Sequence, residues 1–413
     1  MPINRKHQKR NNKFKKSRNV SRKPLNLSIE QHPSYSRSQS NKSTNFKTFG
    51  LIFLGFLVLS FLGSQSNERS IKGNQFLGSN KANPPLEFYS NVLPSFKKPS
   101  AQEINGVGLW QKDYRAIDYY GRSISYNGKS VNELAKALSS YAYTSEAKAR
   151  IAYVWITNNI SYDVQSYLSQ DYKNKLVTPE SVLRDRTAVC SGYSELYEAL
   201  GKAMGLDVIT IEGYAKGADY ALGASTDVNH AWNAVKIDGY WYVVDATWGA
   251  GTLESNQFKK QFNPFFFAPP PAQFVYTHLP VVSEWQLLAK PYTKDKFENL
   301  PEVSTDFFED GLRTISHNQH TISIKDAQQV LIEVPTGVEI SARYQQVSSQ
   351  SNDTSTLGAA SMPVQVHQHG NQVLIPLTPW MNTYQLNVYS RRSNDSSTYY
   401  DHAISYRVVF SPM

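Results

Sequence analysis

The chain contains a single cysteine, Cys190, so it can form no disulfide within itself. Its fold must therefore be stabilised by hydrophobic cores, and the length of 413 residues and aromatic content of 13% are sufficient for them. A lone thiol serves either packing or reactivity. Packing is the common case because free cysteines are among the most buried residues, so the residues around Cys190 must decide between the two.

The sequence that follows Cys190 has the spacing of an amphipathic helix. Cys190 is expected in or just before the first turn, where unpaired N–H groups and the positive end of the helix dipole favour the nucleophilic thiolate. The alternative is that the thiol packs under the helix, on its apolar stripe. Gly205 is suited to end the helix. The apolar residues recur at steps of three and four, and they are Tyr193, Leu196, Tyr197, Leu200, Ala203 and Met204.

A β-hairpin is predicted about forty residues further on. Two runs rich in valine, isoleucine and aromatic residues flank the Asp-Gly pair at 238–239, which favours a two-residue turn. We expect Ile237 to pair with Tyr240. In that register His230 and Asp245 are diagonal neighbours on one face, roughly 7–8 Å apart at the backbone. Singly they could be a strand histidine and a capping residue, but with the cysteine they predict a triad, because a thiol nucleophile needs a base held by an acid.

Three segments resemble the transglutaminase-like superfamily, and they are RTAVCSGYSELYEALGKAMGLDVITIEGY, NHAWNAVKIDGYWYVVDATWG and FFFAPPPAQFVYTHLPVVSEWQLL. The resemblance is strongest to the bacterial and fungal branch related to the kyphoscoliosis peptidase and to a yeast cytokinesis protein. It covers roughly residues 130–290. The resemblance implies that Cys190 is the nucleophile, His230 the base and Asp245 the orienting acid. It also implies an α+β, papain-like transglutaminase core, in which the cysteine-bearing helix packs on an antiparallel sheet.

The resemblance leaves the reaction open. The superfamily includes cross-linking enzymes, cysteine peptidases, deglycosylating enzymes and members that have lost the triad. The presence of all three residues argues against an inactive member, and one cysteine cannot form the zinc-binding cysteine pairs of the peptide N-glycanase branch. We therefore expect a thiol acyltransferase that acts on protein or peptide amides. A cysteine peptidase and a catalytically silent surface protein that binds or organises the cell wall are the alternatives. With no calcium-loop motif in the sequence, we expect neither a metal nor a cofactor.

Basic charge is concentrated at the N terminus. Residues 1–50 contain thirteen Lys and Arg and one acid, Glu30, so the net charge of +9 leaves −3 for the rest of the chain. Residues 1–47 contain few apolar side chains and are predicted to be a disordered tail. Residues 48–67 contain no charge, and their apolar centre, GLIFLGFLVLSFLG, predicts a transmembrane anchor.

The order of these two segments predicts a single-pass membrane protein, and the lone cysteine fits an exported protein of a bacterial, Gram-positive type that uses no structural disulfides. The positive-inside rule places the tail in the cytoplasm and everything after residue 67 outside the cell. A cleaved signal peptide is the alternative, although the basic region is unusually long and no A-x-A-like site follows. Residues 68–105 are predicted to be an extracellular linker. The expected partners are the membrane and a protein or peptide substrate, for which the cell wall is one source, and no nucleic acid is expected.

Two domains are predicted after the linker. Residues 106–300 form the catalytic domain in this division. Residues 301–413 contain short alternating strands separated by Ser, Asn, Asp and Gly clusters, which predicts an immunoglobulin-like β-sandwich. Four histidines of this region stand among polar turns without nearby carboxylates, so we expect solvated loop residues and not metal ligands. They are His317, His320, His367 and His369.

Overall fold

The computed structural model describes residues 98–104, 106–217, 227–346, 361–378 and 383–410. Within those ranges, no helix combines the length and the apolar character needed to cross a membrane. The predicted tail, the predicted anchor at 48–67 and most of the predicted linker lie outside the described residues.

The first domain begins with helices, and their starts are set by local sequence. Ser130, Thr144 and Thr178 each accept a hydrogen bond from a backbone N–H of the first turn that follows them. Two short parallel strands, β1 (Ser161–Tyr162) and β2 (Thr187–Ala188), join the helical segments. The helices are α1 (Arg115–Ser123), α2 (Val131–Ser139), α3 (Ser145–Asn159), α4 (Val164–Ser169), α5 (Pro179–Asp185) and α6 (Cys190–Ala203).

Helix α6 starts at Cys190, as predicted. It ends at Ala203, shortly before Gly205, whose φ of +82° favours glycine. The predicted apolar stripe is buried except for Ala203, which is exposed. Gly192 lets the first turn pack closely on the preceding strand, because a Cβ at this position would lie 2.7 Å from the Cβ of Ala188. Cys190 itself is only partly buried, so it is not a core residue.

An antiparallel sheet with strand order β5-β4-β3-β8 completes the first domain. The predicted hairpin is confirmed, because Ile237 pairs with Tyr240 across a turn whose two residues, 238–239, both have positive φ. Helix α6 packs on β3 and β4, which confirms the predicted α+β core. The strands are β3 (Val208–Ala215), β4 (His230–Ile237), β5 (Tyr240–Val244), β6 (Gly251–Glu254), β7 (Gln257–Lys260) and β8 (His278–Pro280), and a short helix, α7 (Pro271–Phe274), precedes β8.

A buried ion pair joins helices α1 and α3. Arg150, only 2% exposed, donates two hydrogen bonds of 2.8 Å to the carboxylate of Asp118. Its guanidinium also lies over the rings of Tyr114 and Phe267, 4.5 and 5.0 Å from their centroids. Because Phe267 forms a β-bridge with Val244 at the end of β5, the ion pair connects the helices to the sheet.

The second domain is a β-sandwich, which confirms the prediction. One sheet has the order β10-β12-β16-β15, and the other has the order β11-β18-β17-β13-β14, with β9 also paired to β18. His367 and His369 lie on an exposed strand, β15, and not in a loop as predicted. The elements are α8 (Lys294–Glu298), β9 (Glu302–Val303), α9 (Thr305–Glu309), β10 (Arg313–Thr314), β11 (Thr321–Ser323), β12 (Gln329–Glu333), β13 (Val338–Gln346), β14 (Ser361–Val364), β15 (His367–His369), β16 (Gln372–Pro376), β17 (Thr383–Arg392) and β18 (Asp401–Val409).

The two domains pack against each other through the segment between β7 and β8. The ring of Phe265 stacks on that of Phe308 in α9, with centroids 5.5 Å apart and planes 8° from parallel. The hydroxyl of Tyr276 donates a hydrogen bond to the side chain of Asn318. The second domain therefore contacts residues on either side of helix α7.

Residues 98–104 contact the first domain, although they were assigned to the linker. A short 3-10 helix, Ala101–Glu103, follows Ser100. Glu103 forms an ion pair with Lys236 of β4, and Lys98 forms one with Glu284. The predicted linker therefore joins the domain before its assigned end at residue 105.

Loss of the buried ion pair should destabilise the first domain. Asp118→Ala leaves the guanidinium of Arg150 buried without its main partner, so we expect the free energy of unfolding to fall by about 3–5 kcal/mol. Asp113→Ala is the matched control, because it removes a pair with Arg115 that is exposed to solvent, and it should change stability little. Urea denaturation measures both variants, and equal small effects would contradict the assignment.

Candidate active site

Cys190 is the first residue of helix α6 and is partly exposed to solvent. The residue before it, Val189, is the N-cap, and no side chain among the described residues caps this end of the helix. No side-chain oxygen therefore competes with an anion for the N–H groups of the first turn. This end of the helix can stabilise a thiolate or an oxyanion next to it.

The three predicted site residues lie together. Strand β4 begins at His230, whose Nε2 lies 2.7 Å from Oδ2 of Asp245. The thiol of Cys190 lies close enough to His230 to contribute to the raised pKa of the imidazole. Because Asp245 engages Nε2, the other ring nitrogen, Nδ1, is the one left for the thiol. The imidazole thus stands between a thiol and a carboxylate.

The carboxylate of Asp245 is fully buried and accepts four hydrogen bonds. Its Oδ1 accepts from the backbone N–H groups of Thr247 and Trp248, at 2.8 and 3.0 Å. Its Oδ2 is shared by Nε2 of His230, at 2.7 Å, and Nε2 of His278, at 3.1 Å. Both the position and the orientation of this acid are therefore fixed.

His278 was not predicted as a site residue. It is the first residue of β8, where it pairs with Ala215 of β3. Its Nδ1 lies 2.8 Å from Oγ1 of Thr277. The sequence signal was weak, because a histidine ahead of a short apolar run does not say which strand it will pair with. Only the pairing of β8 with β3 brings His278 to Asp245.

Aromatic side chains pack around the two histidines. The ring of Phe274 stacks on that of His278, with centroids 4.0 Å apart and planes 11° from parallel. The indole of Trp248 lies 4.5 Å from one histidine ring and 5.5 Å from the other. Trp232 packs over Gly213 of β3, where a Cβ would lie 2.4 Å from the indole. These rings exclude water from the acid and both histidines, whereas the thiol stays accessible.

Burial and charge act in opposite directions on the three titratable side chains. Burial alone would lower the pKa of His230, but the charge of Asp245 and its hydrogen bond outweigh burial and raise that pKa to about 10. Burial would raise the pKa of Asp245, but His230, and then His278, hold it well below its usual range. Burial lowers the pKa of His278 to about 4 against the influence of Asp245. Near neutral pH, His230 is therefore protonated, Asp245 is ionised and His278 is neutral.

The same three residues are where a metal ion could be held. The ligand atoms of His230, Asp245 and His278 lie within 4.8 Å of one another, and two imidazoles with one carboxylate suit zinc. Those atoms are already hydrogen-bonded to one another. The arrangement is therefore explained by acid–base chemistry.

Two family models match the chain. The model of the transglutaminase-like superfamily matches residues 132–246, a range that includes Cys190, His230 and Asp245. The other is the KY-like, immunoglobulin-like domain, which matches residues 294–411. The domain boundary predicted at residue 300 stays a prediction.

Several curated proteins are similar to this chain. Kyphoscoliosis peptidase of Mus musculus is 28% identical over 269 residues, which are 64% of this chain and 39% of that protein. Hillarin of Drosophila melanogaster is 29% identical over 226 residues, 50% of this chain and 27% of that protein. Cytokinesis protein 3 of Schizosaccharomyces pombe is 26% identical over 251 residues, which are 59% of this chain and 28% of that protein.

These relatives are animal and fungal proteins, so they give no support to the predicted bacterial source. The chain spans less than half the length of each of them. Red sea bream transglutaminase, a solved structure, aligns at 9% identity and a TM-score of 0.24 over 73% of this chain and 59% of that chain, which is too weak to support any conclusion. The described chain thus carries a transglutaminase-like domain followed by a KY-like immunoglobulin-like domain.

Proposed function

We propose that this protein is a transglutaminase-type thiol acyltransferase that acts on protein or peptide amides through Cys190, His230 and Asp245. One observation carries the proposal, which is the proximity of a partly exposed thiol to an imidazole that is itself hydrogen-bonded to a buried carboxylate. The match of the transglutaminase-like family model to this part of the chain supports it. A protonated imidazole beside a thiol at a helix start favours the thiolate.

In the first half of the proposed reaction, the thiolate of Cys190 attacks the carbonyl carbon of a glutamine carboxamide or peptide bond. The carbon–sulfur bond forms while the carbonyl π electrons move to oxygen. We assign the backbone N–H of Cys190, at the helix start, as one donor to this oxyanion. Collapse of the tetrahedral intermediate expels the amine, which takes its proton from His230 and leaves a thioester on the enzyme.

In the second half, neutral His230 takes a proton from the acceptor as the acceptor attacks the thioester, and the carbon–sulfur bond then breaks to release the thiolate of Cys190. A lysine amine as acceptor gives a cross-link, and water gives hydrolysis. Asp245 holds Nε2 of His230 at 2.7 Å, so the ring keeps one orientation through both proton transfers. The choice of acceptor then depends on how well water is excluded near Cys190.

A cysteine peptidase that uses the same residues is the second candidate. It is favoured by the name of the mouse and human relatives, kyphoscoliosis peptidase. The thioester is common to both reactions, so the two candidates differ only in the acceptor. Because the chain covers 39% and 43% of those relatives, activity on the same substrates is itself a proposal.

We further propose that the reaction takes place outside the cell on a membrane-anchored protein. The support is the sequence alone, namely the uncharged apolar stretch at 48–67 and the thirteen basic residues among the first fifty. The substrate would then be a surface or cell-wall protein or peptide.

Incubation of residues 98–413 with a fluorescent primary amine and a glutamine-containing protein separates the candidate reactions. We expect amine incorporation at glutamine, detected by mass spectrometry, because the thioester should be captured by the amine. Cys190→Ala is the blank. Cleavage of the protein would indicate the peptidase instead. The absence of both products would contradict an enzymatic role and favour the surface-binding alternative.

Asp245→Asn should reduce turnover while leaving the fold intact. The amide cannot stabilise the protonated imidazole or fix its tautomer, and in triads of this kind the loss in kcat reaches about 10⁴-fold. Asp238→Asn in the hairpin turn is the matched control, because it makes the same chemical change away from the site, and it should keep full turnover. Steady-state kinetics together with far-UV circular dichroism measure both. If Asp245→Asn keeps its turnover, another residue orients His230.

A further inference from the structure

His278 is a part of the site that the proposed triad does not use. It is 1% exposed, and its Nε2 lies 3.1 Å from the Oδ2 of Asp245. His230 engages the same oxygen atom at 2.7 Å. Two imidazoles therefore share one carboxylate oxygen, and only one of them is beside the thiol.

The hydrogen bonds around His278 define its tautomer. An ionised carboxylate only accepts, so Nε2 of His278 must donate to Asp245. A neutral imidazole has one N–H, so its Nδ1 accepts from the hydroxyl of Thr277 at 2.8 Å. This contact is shorter than the 3.3 Å between the same hydroxyl and the carbonyl oxygen of Phe274. His278 is therefore a neutral donor aimed at Oδ2.

The described surroundings of His278 keep it neutral. Phe274 and Trp248 cover its ring, and Ala215 faces it across the sheet. Lys216, the residue after β3, donates a hydrogen bond from its amino group to the carbonyl oxygen of Leu300. Burial therefore lowers the pKa of His278, and the only charged groups that also act on this pKa among the described residues are Asp245 and His230.

The other titratable groups near the shared acid do not change charge near neutral pH. Tyr153 of α3 and Tyr193 of α6 both lie close enough to Asp245 for its charge to act on them. Burial raises the pKa of each of these tyrosines well above the usual range. Five titratable side chains surround the carboxylate in the part of the chain that the structure describes. They are the two tyrosines, the two histidines and, beside His230, Cys190.

We propose that His278 is a positioning residue that shares Oδ2 of Asp245 with His230 and thereby weakens the hold of this acid on the proton of His230. As a donor that keeps its own proton, His278 stabilises the carboxylate in the state in which His230 is neutral. His230 must pass through that state in every cycle, because it gives its proton to the leaving amine. This inference rests on the proposed function, since it concerns the proton transfers of that reaction.

Two substitutions of His278 separate the effect of its hydrogen-bond donor from the effect of its aromatic ring. His278→Phe keeps an aromatic ring to stack on Phe274 but has no donor, and the hydroxyl of Thr277 can then turn to the carbonyl oxygen of Phe274, which is 3.3 Å away. His278→Gln loses the ring but can place an amide N–H near the position of Nε2. If the donor is what matters, the glutamine variant should resemble wild type more closely than the phenylalanine variant does.

Two measurements on each variant test the proposal. The first is the rate of alkylation by iodoacetamide below pH 7, which needs the thiolate but no proton return. The second is the pH profile of kcat/KM, measured with the substrate that the wild-type protein uses. The alkaline limb of this profile reports the loss of the proton from His230. For His278→Phe we expect alkylation at least as fast as in wild type, but slower turnover. The alkaline limb of the kcat/KM profile should move upward by about one pH unit, because one hydrogen bond to a charged group has an effect of this size. His278→Gln should restore the limb and most of the turnover.

Alkylation and turnover that fall together in His278→Phe, with the alkaline limb unmoved, would show a purely structural role and overturn the inference. If that variant does not fold, Thr277→Val replaces it, because the hydroxyl that donates to Nδ1 polarises the ring and strengthens Nε2–H of His278 as a donor to Asp245. The limb should then move in the same direction, and an unmoved limb overturns the inference. A wild-type protein with neither alkylation below pH 7 nor turnover would overturn the proposed function itself, and the inference with it.

Discussion

The fully buried carboxylate of Asp245 is the group on which the arrangement of the site depends. A buried anion is costly unless its oxygen atoms are satisfied, and this one accepts four hydrogen bonds. The donors come from three places, namely the turn that follows β5, the first residue of β4 and the first residue of β8. The strand order β5-β4-β3-β8 is therefore what satisfies the acid, and the same order assembles the thiol, the base and the acid.

The packing around the sheet connects the site to the rest of the molecule. Arg150 lies over the ring of Phe267, whose β-bridge to Val244 adjoins Asp245. On the other side, the segment that leads to His278 carries Phe265, which stacks on Phe308 of the second domain. The immunoglobulin-like domain therefore packs on the segment that supplies the second histidine.

Those parts of the site that depend on local sequence could be predicted, and those that depend on long-range pairing could not. The start of α6 at Cys190 follows from a periodic helix signal, and the pairing of His230 with Asp245 follows from a two-residue turn that fixes the register. His278 reaches the acid only because β8 adds to β3, and nothing in its short apolar run specifies that partner. The exposed strand with His367 and His369 was missed because its polar side chains lack the alternation that marks a strand. The contacts of residues 98–104 were missed because they are ion pairs between residues distant in sequence.

The pH dependence of Cys190 alkylation by iodoacetamide tests most directly whether the thiol, the base and the acid act as one unit. We predict that the wild-type thiol reacts rapidly below pH 7, because protonated His230 stabilises the thiolate. In His230→Ala the rate of alkylation should rise only as the pH approaches about 8.5, which is the ordinary pKa of a free cysteine. A wild-type thiol that reacts only near that pH, with a profile that His230→Ala leaves unchanged, would contradict the assignment of Cys190 as an activated nucleophile.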